Sequence, residues 1–221
     1  MDGSRLGIVI PAFNEAKAIG AVVASARRFG TVIVVDDASA DATAAVAREQ
    51  GADVVQLQKN GGYDKALQAG AERAKAIGCA CFITMDADGQ HDPQIIERFL
   101  RGLAEGADVV VGVRDRFQRF SERVFAIVGK RLWKIQDPLC GMKAYRMSVY
   151  DALGHFDSYR SIGTELAIHA ARSGRSIANV PIMTRPRVGA SRFGAGWRPN
   201  MRILRALWRG LSQSSSTRAV P

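Results

Sequence analysis

The chain has 221 residues, 47% of them hydrophobic and 24% charged, with a net charge of +10. That is enough for one globular domain of ordinary size, or one domain plus an appendage, and the composition is that of a soluble protein. The absence of any run of about 18 apolar residues excludes a membrane-spanning helix. Three cysteines, two of them at Cys79 and Cys81, exclude a disulfide framework and point to the reducing cytoplasm.

The chain enters an apolar segment by Leu6 with no charged-then-apolar leader, so no secretion signal is expected. Strands are predicted at 6–10, 31–35, 53–57, 79–85 and 108–113, all rich in Val and Ile and lacking polar alternation, as strands buried on both faces are. Helices are predicted between them at 16–29, 41–50, 63–77 and 93–105, with Gly30, Gly51, Gly78 and Gly106 at the expected cap positions. Four β-α units in series predict an α/β fold, a parallel sheet with helices on both faces. Ligands of such sheets bind beyond the carboxyl ends of the strands. Three polar segments fall there: Pro11-Ala12-Phe13-Asn14-Glu15, Asp36-Asp37-Ala38-Ser39 and Asp86-Ala87-Asp88.

The last segment carries the most chemistry. Carboxylates two residues apart on an extended chain end point to the same side, so one hard cation can touch both. Gln90 adds a carbonyl oxygen, Gly89 allows the bend, and Asp92-Pro93 reads as a helix start. Asp86, Asp88 and Gln90 thus offer an oxygen cluster suited to Mg²⁺ or Mn²⁺, and a metal held there suits a diphosphate; by themselves two acids at a strand end equally fit ordinary solvated turn chemistry.

After Val113 the pattern changes to a basic helix at 122–135, the segment Asp137-Pro138-Leu139-Cys140-Gly141-Met142-Lys143, a helix at 163–173 and a strand at 177–183. A loop at 185–194, a helix at 197–211 and a Ser-rich tail follow. Residues 185–221 hold eight Arg and no Asp, Glu or Lys, a patch that seeks phosphate in nucleotides, nucleic acid or anionic lipid.

In order and spacing, Ile8–Glu15, Val34–Thr43, Asn60-Gly61-Gly62 and Met85–Pro93 resemble the family 2 glycosyltransferases. Asp137–Arg146 narrows the likeness to the polyprenyl-phosphate branch, the dolichol-phosphate mannosyltransferase-like enzymes. The resemblance covers roughly residues 5–194 and implies a GT-A fold over residues 1–194; periodicity and composition add a basic amphipathic helix over 195–212 and a disordered tail over 213–221. The resemblance also implies inverting transfer of a hexose from a nucleoside diphosphate sugar, GDP-mannose or UDP-glucose. Pro11, Phe13 and Glu15 would line the nucleotide pocket and Asp37 would hold base or ribose. Asp86, Asp88 and Gln90 would bind the metal, and Arg114, Arg187 and Arg192 would contact phosphates. Glu165 matches a conformationally important acid of the family. Asp64 stands where relatives often carry a small residue.

Metal and Arg donors stabilise the charge that builds on a departing diphosphate. A hydroxyl acceptor would need a carboxylate base, with Asp137 or Glu165 the candidates, whereas a phosphate acceptor is already an anion. On a helical wheel Arg198, Arg202, Arg205 and Arg209 share one side of the last helix, and Trp197, Met201, Leu204, Leu207, Trp208 and Leu211 the adjoining one. Arg123, Lys130 and Lys134 form a basic stripe on the 122–135 helix beside Val124, Val128, Leu132 and Ile135. Such helices suit an anionic membrane surface, and the same features fit a core-packed helix with a solvated basic face or a protein groove. The expected location is peripheral, at the inner face of the cell membrane, reached directly or through a separate membrane subunit. Rival readings are a family 2 enzyme acting on a glycan or lipid hydroxyl, and a non-catalytic nucleotide-binding subunit. Nucleic acid is not an expected partner, since no aromatic stacking platform or recognition motif accompanies the basic residues. His91 beside the acidic motif reads as a turn residue, Glu165 and His169 as a surface pair, and Cys79 and Cys81 as core. No G-x-G-x-x-G follows a strand and no Walker A motif occurs.

Overall fold

The computed structural model describes residues 5–89, 93–183 and 197–212. The first half follows the predicted alternation: β1 (Leu6–Ala12), α1 (Ala16–Ala26), β2 (Thr31–Asp36), α2 (Thr43–Glu49), β3 (Asp53–Gln56), α3 (Tyr63–Ala76) and β4 (Cys81–Thr84). A 3-10 turn at Pro93–Ile95 leads into α4 (Ile96–Ala104), then β5 (Val109–Arg114) and α5 (Phe120–Trp133). The rest comprises β6 (Lys143–Arg146), α6 (Met147–Leu153), α7 (Glu165–Arg172), β7 (Ile177–Ile182) and α8 (Trp197–Ser212).

The seven strands form one sheet in the order β3-β2-β1-β4-β6-β5-β7. Every pairing is parallel except those of β6, which lies antiparallel between β4 and β5. Helices α1, α2 and α4 cover one face, where Ile8, Ile10, Val34 and Ile83 are buried. Helices α3, α5, α6, α7 and α8 cover the other, over Val9, Val35, Phe82 and Tyr145. Burial on both faces is why the strands read as unbroken apolar runs.

Strand β6 and helix α6 lie where the sequence predicts no element. Lys143-Ala144-Tyr145-Arg146 is short and charged at both ends, so nothing local marks it as a strand, and yet Lys143, Ala144 and Tyr145 are all buried. Its direction matters for function. Because β6 runs against β4, with Thr84 opposite Lys143, the segment preceding it is delivered to the carboxyl end of β4.

Helix α8 packs on α5 and adds Ile203, Ala206 and Leu207 to the core. Its wheel therefore divides differently from the expectation: Leu207 turns inward while Trp197, Met201, Leu204, Trp208 and Leu211 stay exposed. On α5 the inward face is Phe125, Ala126, Gly129 and Trp133, with Val124 and Val128 only half-buried and Leu132 exposed. Among the described residues, no helix is long and apolar enough to cross a membrane.

Candidate active site

The ends of β1 and β2 are cross-tied into one rim. The Asn14 amide donates to Ser39 Oγ at 2.8 Å, the Glu15 amide to Thr43 Oγ1 at 2.8 Å, and Asn14 Oδ1 accepts the Ala40 amide at 2.7 Å. Asn14 has φ +51°, a conformation its short polar side chain tolerates better than most. Pro11, Phe13 and Glu15 lie half-buried along this rim. Asp37, expected on base or ribose, is buried, and its two oxygens accept the amides of Gly61 and Gly62 at 2.6 and 2.8 Å. Gly62 needs glycine for its φ of +85°. In this structure Asp37 is the anchor of the Asn60-Gly61-Gly62 turn, which brings that turn to the sheet edge.

Asp86 and Asp88 follow β4 directly, and Asp88 is buried. Tyr63, the first residue of α3, donates its hydroxyl to Asp86 Oδ1 at 3.3 Å. Burial, then the nearby Asp86 charge, raises the Tyr63 pKa well above its ordinary value, so the phenol stays a donor. The Asp86 carboxylate also rests against the bare Cα of Gly141. A Cβ there would sit 2.6 Å from the carboxylate carbon and from Oδ1, and closer still to Oδ2. Thr84 fixes that neighbour by donating its hydroxyl to the Gly141 carbonyl at 2.7 Å. Beneath lies Lys143, buried, donating its ammonium to the carbonyls of Cys140 at 2.7 Å and Gly163 at 3.0 Å. Burial lowers its pKa, and the charges of Cys140, Asp137 and Asp86 oppose that shift.

The donor chemistry fits Mg²⁺ or Mn²⁺. Two carboxylates at a strand end supply hard oxygens, and the Gly141 cradle holds one of them in place. Among the described residues no cluster of three His, Cys, Asp or Glu could hold a metal alone. An ion at Asp86 and Asp88 would draw its remaining oxygens from elsewhere, as Mg²⁺ does when it takes one or two carboxylates plus substrate phosphates.

Arg114 ends β5 and makes a fork with Asp137, Nε to Oδ2 at 2.7 Å and Nη2 to Oδ1 at 3.0 Å, with Glu122 of α5 at 3.5 Å. Burial alone would weaken its charge; the Asp137 hydrogen bonds and charge outweigh it and raise its pKa. Asp137, a candidate base, is 1% exposed and held in this pair. Glu165, the other, is 2% exposed and accepts the Ser158 amide at 2.5 Å and hydroxyl at 2.8 Å, with His155 Nε2 at 3.0 Å from the same carboxylate. It ties the 155–158 loop to α7 and is buried, where a surface residue was expected.

Gln90, His91, Arg187 and Arg192 lie outside the described residues. Arg123, Lys130, Arg198, Arg202 and Arg205 are exposed on α5 and α8. Helix α8 reaches the site's flank: Asn200 Oδ1 lies 2.6 Å from Ser121 Oγ beside Glu122, and Arg209 donates to the Tyr159 carbonyl at 3.0 Å. Sequence reasoning passed over Tyr63, Gly141 and Lys143 as site residues. Gly141 and Lys143 sat inside a motif that the resemblance had quoted; nothing local marked Tyr63.

The sequence pattern of glycosyl transferase family 2 matches residues 7–154. The chain belongs to that family. Relatives include a dolichyl-phosphate hexose transferase of Haloferax volcanii, 30% identical over 85% of this chain and 86% of its own. Another is an undecaprenyl-phosphate 4-deoxy-4-formamido-L-arabinose transferase of Pectobacterium carotovorum, 30% identical over 70% of this chain and 52% of its own. These names are those of the polyprenyl-phosphate branch that the sequence resembles. Glucosyl-3-phosphoglycerate synthase of Mycobacterium tuberculosis, solved with Mn²⁺, UDP and its product, superposes with a TM-score of 0.77 at 21% identity, over 97% of this chain and 82% of its own. The family 2 chain thus has the GT-A fold expected of it and is a glycosyltransferase.

Proposed function

We propose that this glycosyltransferase moves a hexose from a nucleoside diphosphate sugar to a polyprenyl phosphate at a membrane surface. One observation carries the choice of acceptor. The two carboxylates that the sequence offers as candidate bases for a sugar hydroxyl are buried and engaged, Asp137 by Arg114 and Glu165 by Ser158 and His155. A phosphate acceptor needs no base.

In this reading a phosphate oxygen of the acceptor attacks the anomeric carbon. The bond from that carbon to the diphosphate breaks, its electron pair leaves on the nucleoside diphosphate, and configuration inverts. Asp86 and Asp88 would hold Mg²⁺ or Mn²⁺, which when bound neutralises charge developing on the leaving diphosphate. Tyr63 and Gly141 orient Asp86. The fork between Arg114 and Asp137 sets the edge of the site, and Arg187 and Arg192 are proposed phosphate contacts.

The outer face of the α5–α8 pair supports a membrane location. Eight of the nine large apolar side chains exposed among the described residues lie on these two helices: Phe120, Ile127 and Leu132, and the five of α8. Arg123, Lys130, Arg198, Arg202 and Arg205 are exposed on the same pair. Two Trp, a band of apolar residues and cations with no acid on α8 match the chemistry of an anionic bilayer interface.

Two assays test the reading. Protein, Mn²⁺, labelled GDP-mannose or UDP-glucose and undecaprenyl phosphate should yield an organic-extractable product, and Asp88→Ala should cut turnover by about 10²-fold or more. Turnover unchanged by that substitution would remove the metal role, and product formed only on hydroxyl acceptors would remove the acceptor. Phosphatidylglycerol vesicles should sediment the protein and shift Trp fluorescence, which reports Trp197 and Trp208 because Trp133 is buried. Equal binding to neutral vesicles would refute the electrostatic part.

A further inference from the structure

A circuit of contacts closes around Asp86, and its least expected member is Asp64. Tyr63 reaches Asp86 Oδ1 and Gly141 backs the same carboxylate. The turn that carries Gly141 is pinned by Lys143 through the Cys140 carbonyl, and Lys143 is pinned in turn by the Gly163 carbonyl. Gly163 is then held by Asp64, whose Oδ1 accepts its amide at 2.6 Å while Oδ2 accepts that of Ile162 at 3.4 Å. Asp64 adjoins Tyr63 in the chain, so the circuit returns to its start.

The loop so held is strained. Arg160, Ile162 and Gly163 have φ of +59°, +60° and +68°, and a β-branched residue there is a genuine outlier. Strain of this kind persists only where surrounding contacts over-determine it, and it gathers at functional sites. Here the contacts are two carboxylates: Asp157 accepts the amides of Arg160 and Ser161 at 2.8 and 2.6 Å, and Asp64 those of the next two residues. Gly163 also packs on Tyr63, since a Cβ added to it would meet the ring at 3.2 Å. Releasing the loop would therefore loosen both Tyr63 and Lys143.

We propose that Asp64 is a positioning residue for Asp86, clamping residues 162–163 so that Tyr63, Lys143 and Gly141 hold that carboxylate in its metal-binding pose. The proposal rests on the assignment of Asp86 to the metal. Burial first and the Asp157 charge second raise the Asp64 pKa to about 6, against the amides it holds and the Arg202 charge. The charged and titratable groups facing it are thus Asp157 on the loop, Arg202 on α8 and Tyr63 beside it. Protonation removes the charge that makes Asp64 a strong acceptor, so the clamp slackens as pH falls through that value.

Mn²⁺ binding, read by paramagnetic resonance with UDP-glucose or GDP-mannose present, tests this without turnover. Neither donor sugar titrates near pH 6, so the ligand contributes no step of its own. At neutral pH, Asp64→Asn should weaken Mn²⁺ binding by about 10-fold, and Asp64→Glu should recover part of the loss. Wild-type affinity should fall as pH drops through about 6, a step that Asp64→Asn lacks. Unchanged Mn²⁺ affinity in a folded Asp64→Asn protein overturns the proposal. If that variant does not fold, a wild-type titration with no step near that pH overturns it instead. Wild type that binds no Mn²⁺ with either donor sinks the assignment of Asp86 to the metal as well, and is distinguishable from both.

Discussion

Gly141→Ala isolates the contact on which the Asp86 pose depends. The backbone at Gly141 is not in the left-handed region, so alanine meets no conformational barrier and only its methyl group acts. That methyl would lie 2.6 Å from the Asp86 carboxylate carbon and Oδ1. Ordinary carbon contacts begin near 3.5 Å, so one partner must retreat by about 1 Å. Strand β4 and the Thr84 hydrogen bond fix the backbones on both sides, which leaves the carboxylate to move. Overpacking of this kind costs about 1–3 kcal/mol in stability. A 1 Å misplacement at the chemistry costs about 10²-fold in rate. Thermal unfolding, Mn²⁺ affinity and steady-state transfer should be measured on Gly141→Ala, Asp86→Ala and the double variant. Mn²⁺ binding should fall with turnover, and Asp86→Ala should add little in the Gly141→Ala background, because both act through one group. Full Mn²⁺ affinity with normal turnover would falsify the reasoning, and additive losses would show that the methyl acts elsewhere.

Arg114→Met should lower the urea midpoint by the equivalent of about 3 kcal/mol, because it leaves the Asp137 carboxylate, 1% exposed, with the residue-114 amide but without its guanidinium. Adding Asp137→Asn should restore part of it, and a midpoint unmoved by Arg114→Met would show that the fork is not what satisfies Asp137. Asp64 should make stability fall as pH rises. Its folded pKa of about 6 stands above the ordinary 3.8, so its contribution is complete below about pH 4 and is lost as pH passes through about 6. The stability difference between wild type and Asp64→Asn should therefore change by about 2 kcal/mol between those limits. Chemical denaturation at acid and neutral pH measures it, and a constant difference would contradict the buried carboxylate.

Much of the fold could be read along the chain because its causes are local or periodic. Apolar runs such as Ile8–Ile10 and Val32–Val35 announce buried parallel strands, and the glycines at 30, 51, 78 and 106 mark where helices stop. Motif order was enough to recognise family 2 and to point at Asp86 and Asp88. Wheel periodicity found the basic and apolar residues of α8, yet it could not say which apolar residues face inward. Leu207 joins the core where α8 packs on α5, while its wheel neighbours Leu204 and Leu211 stay outside.

The sequence by itself determined the alternating α/β architecture, the family and the acidic strand end, since each is written in short-range pattern. Tertiary structure alone decided what surrounds those acids. It placed antiparallel β6 beside β4 and so brought Gly141 and Lys143 under Asp86 from some 55 residues away in the chain. It turned Arg114 onto Asp137, Asp37 onto the glycine turn, and Asp64 onto a strained loop almost 100 residues further on. Those partners meet because buried carboxylates and amides must be satisfied wherever folding leaves them, and the geometry of a packed sheet, not local spacing, determines which groups lie within reach.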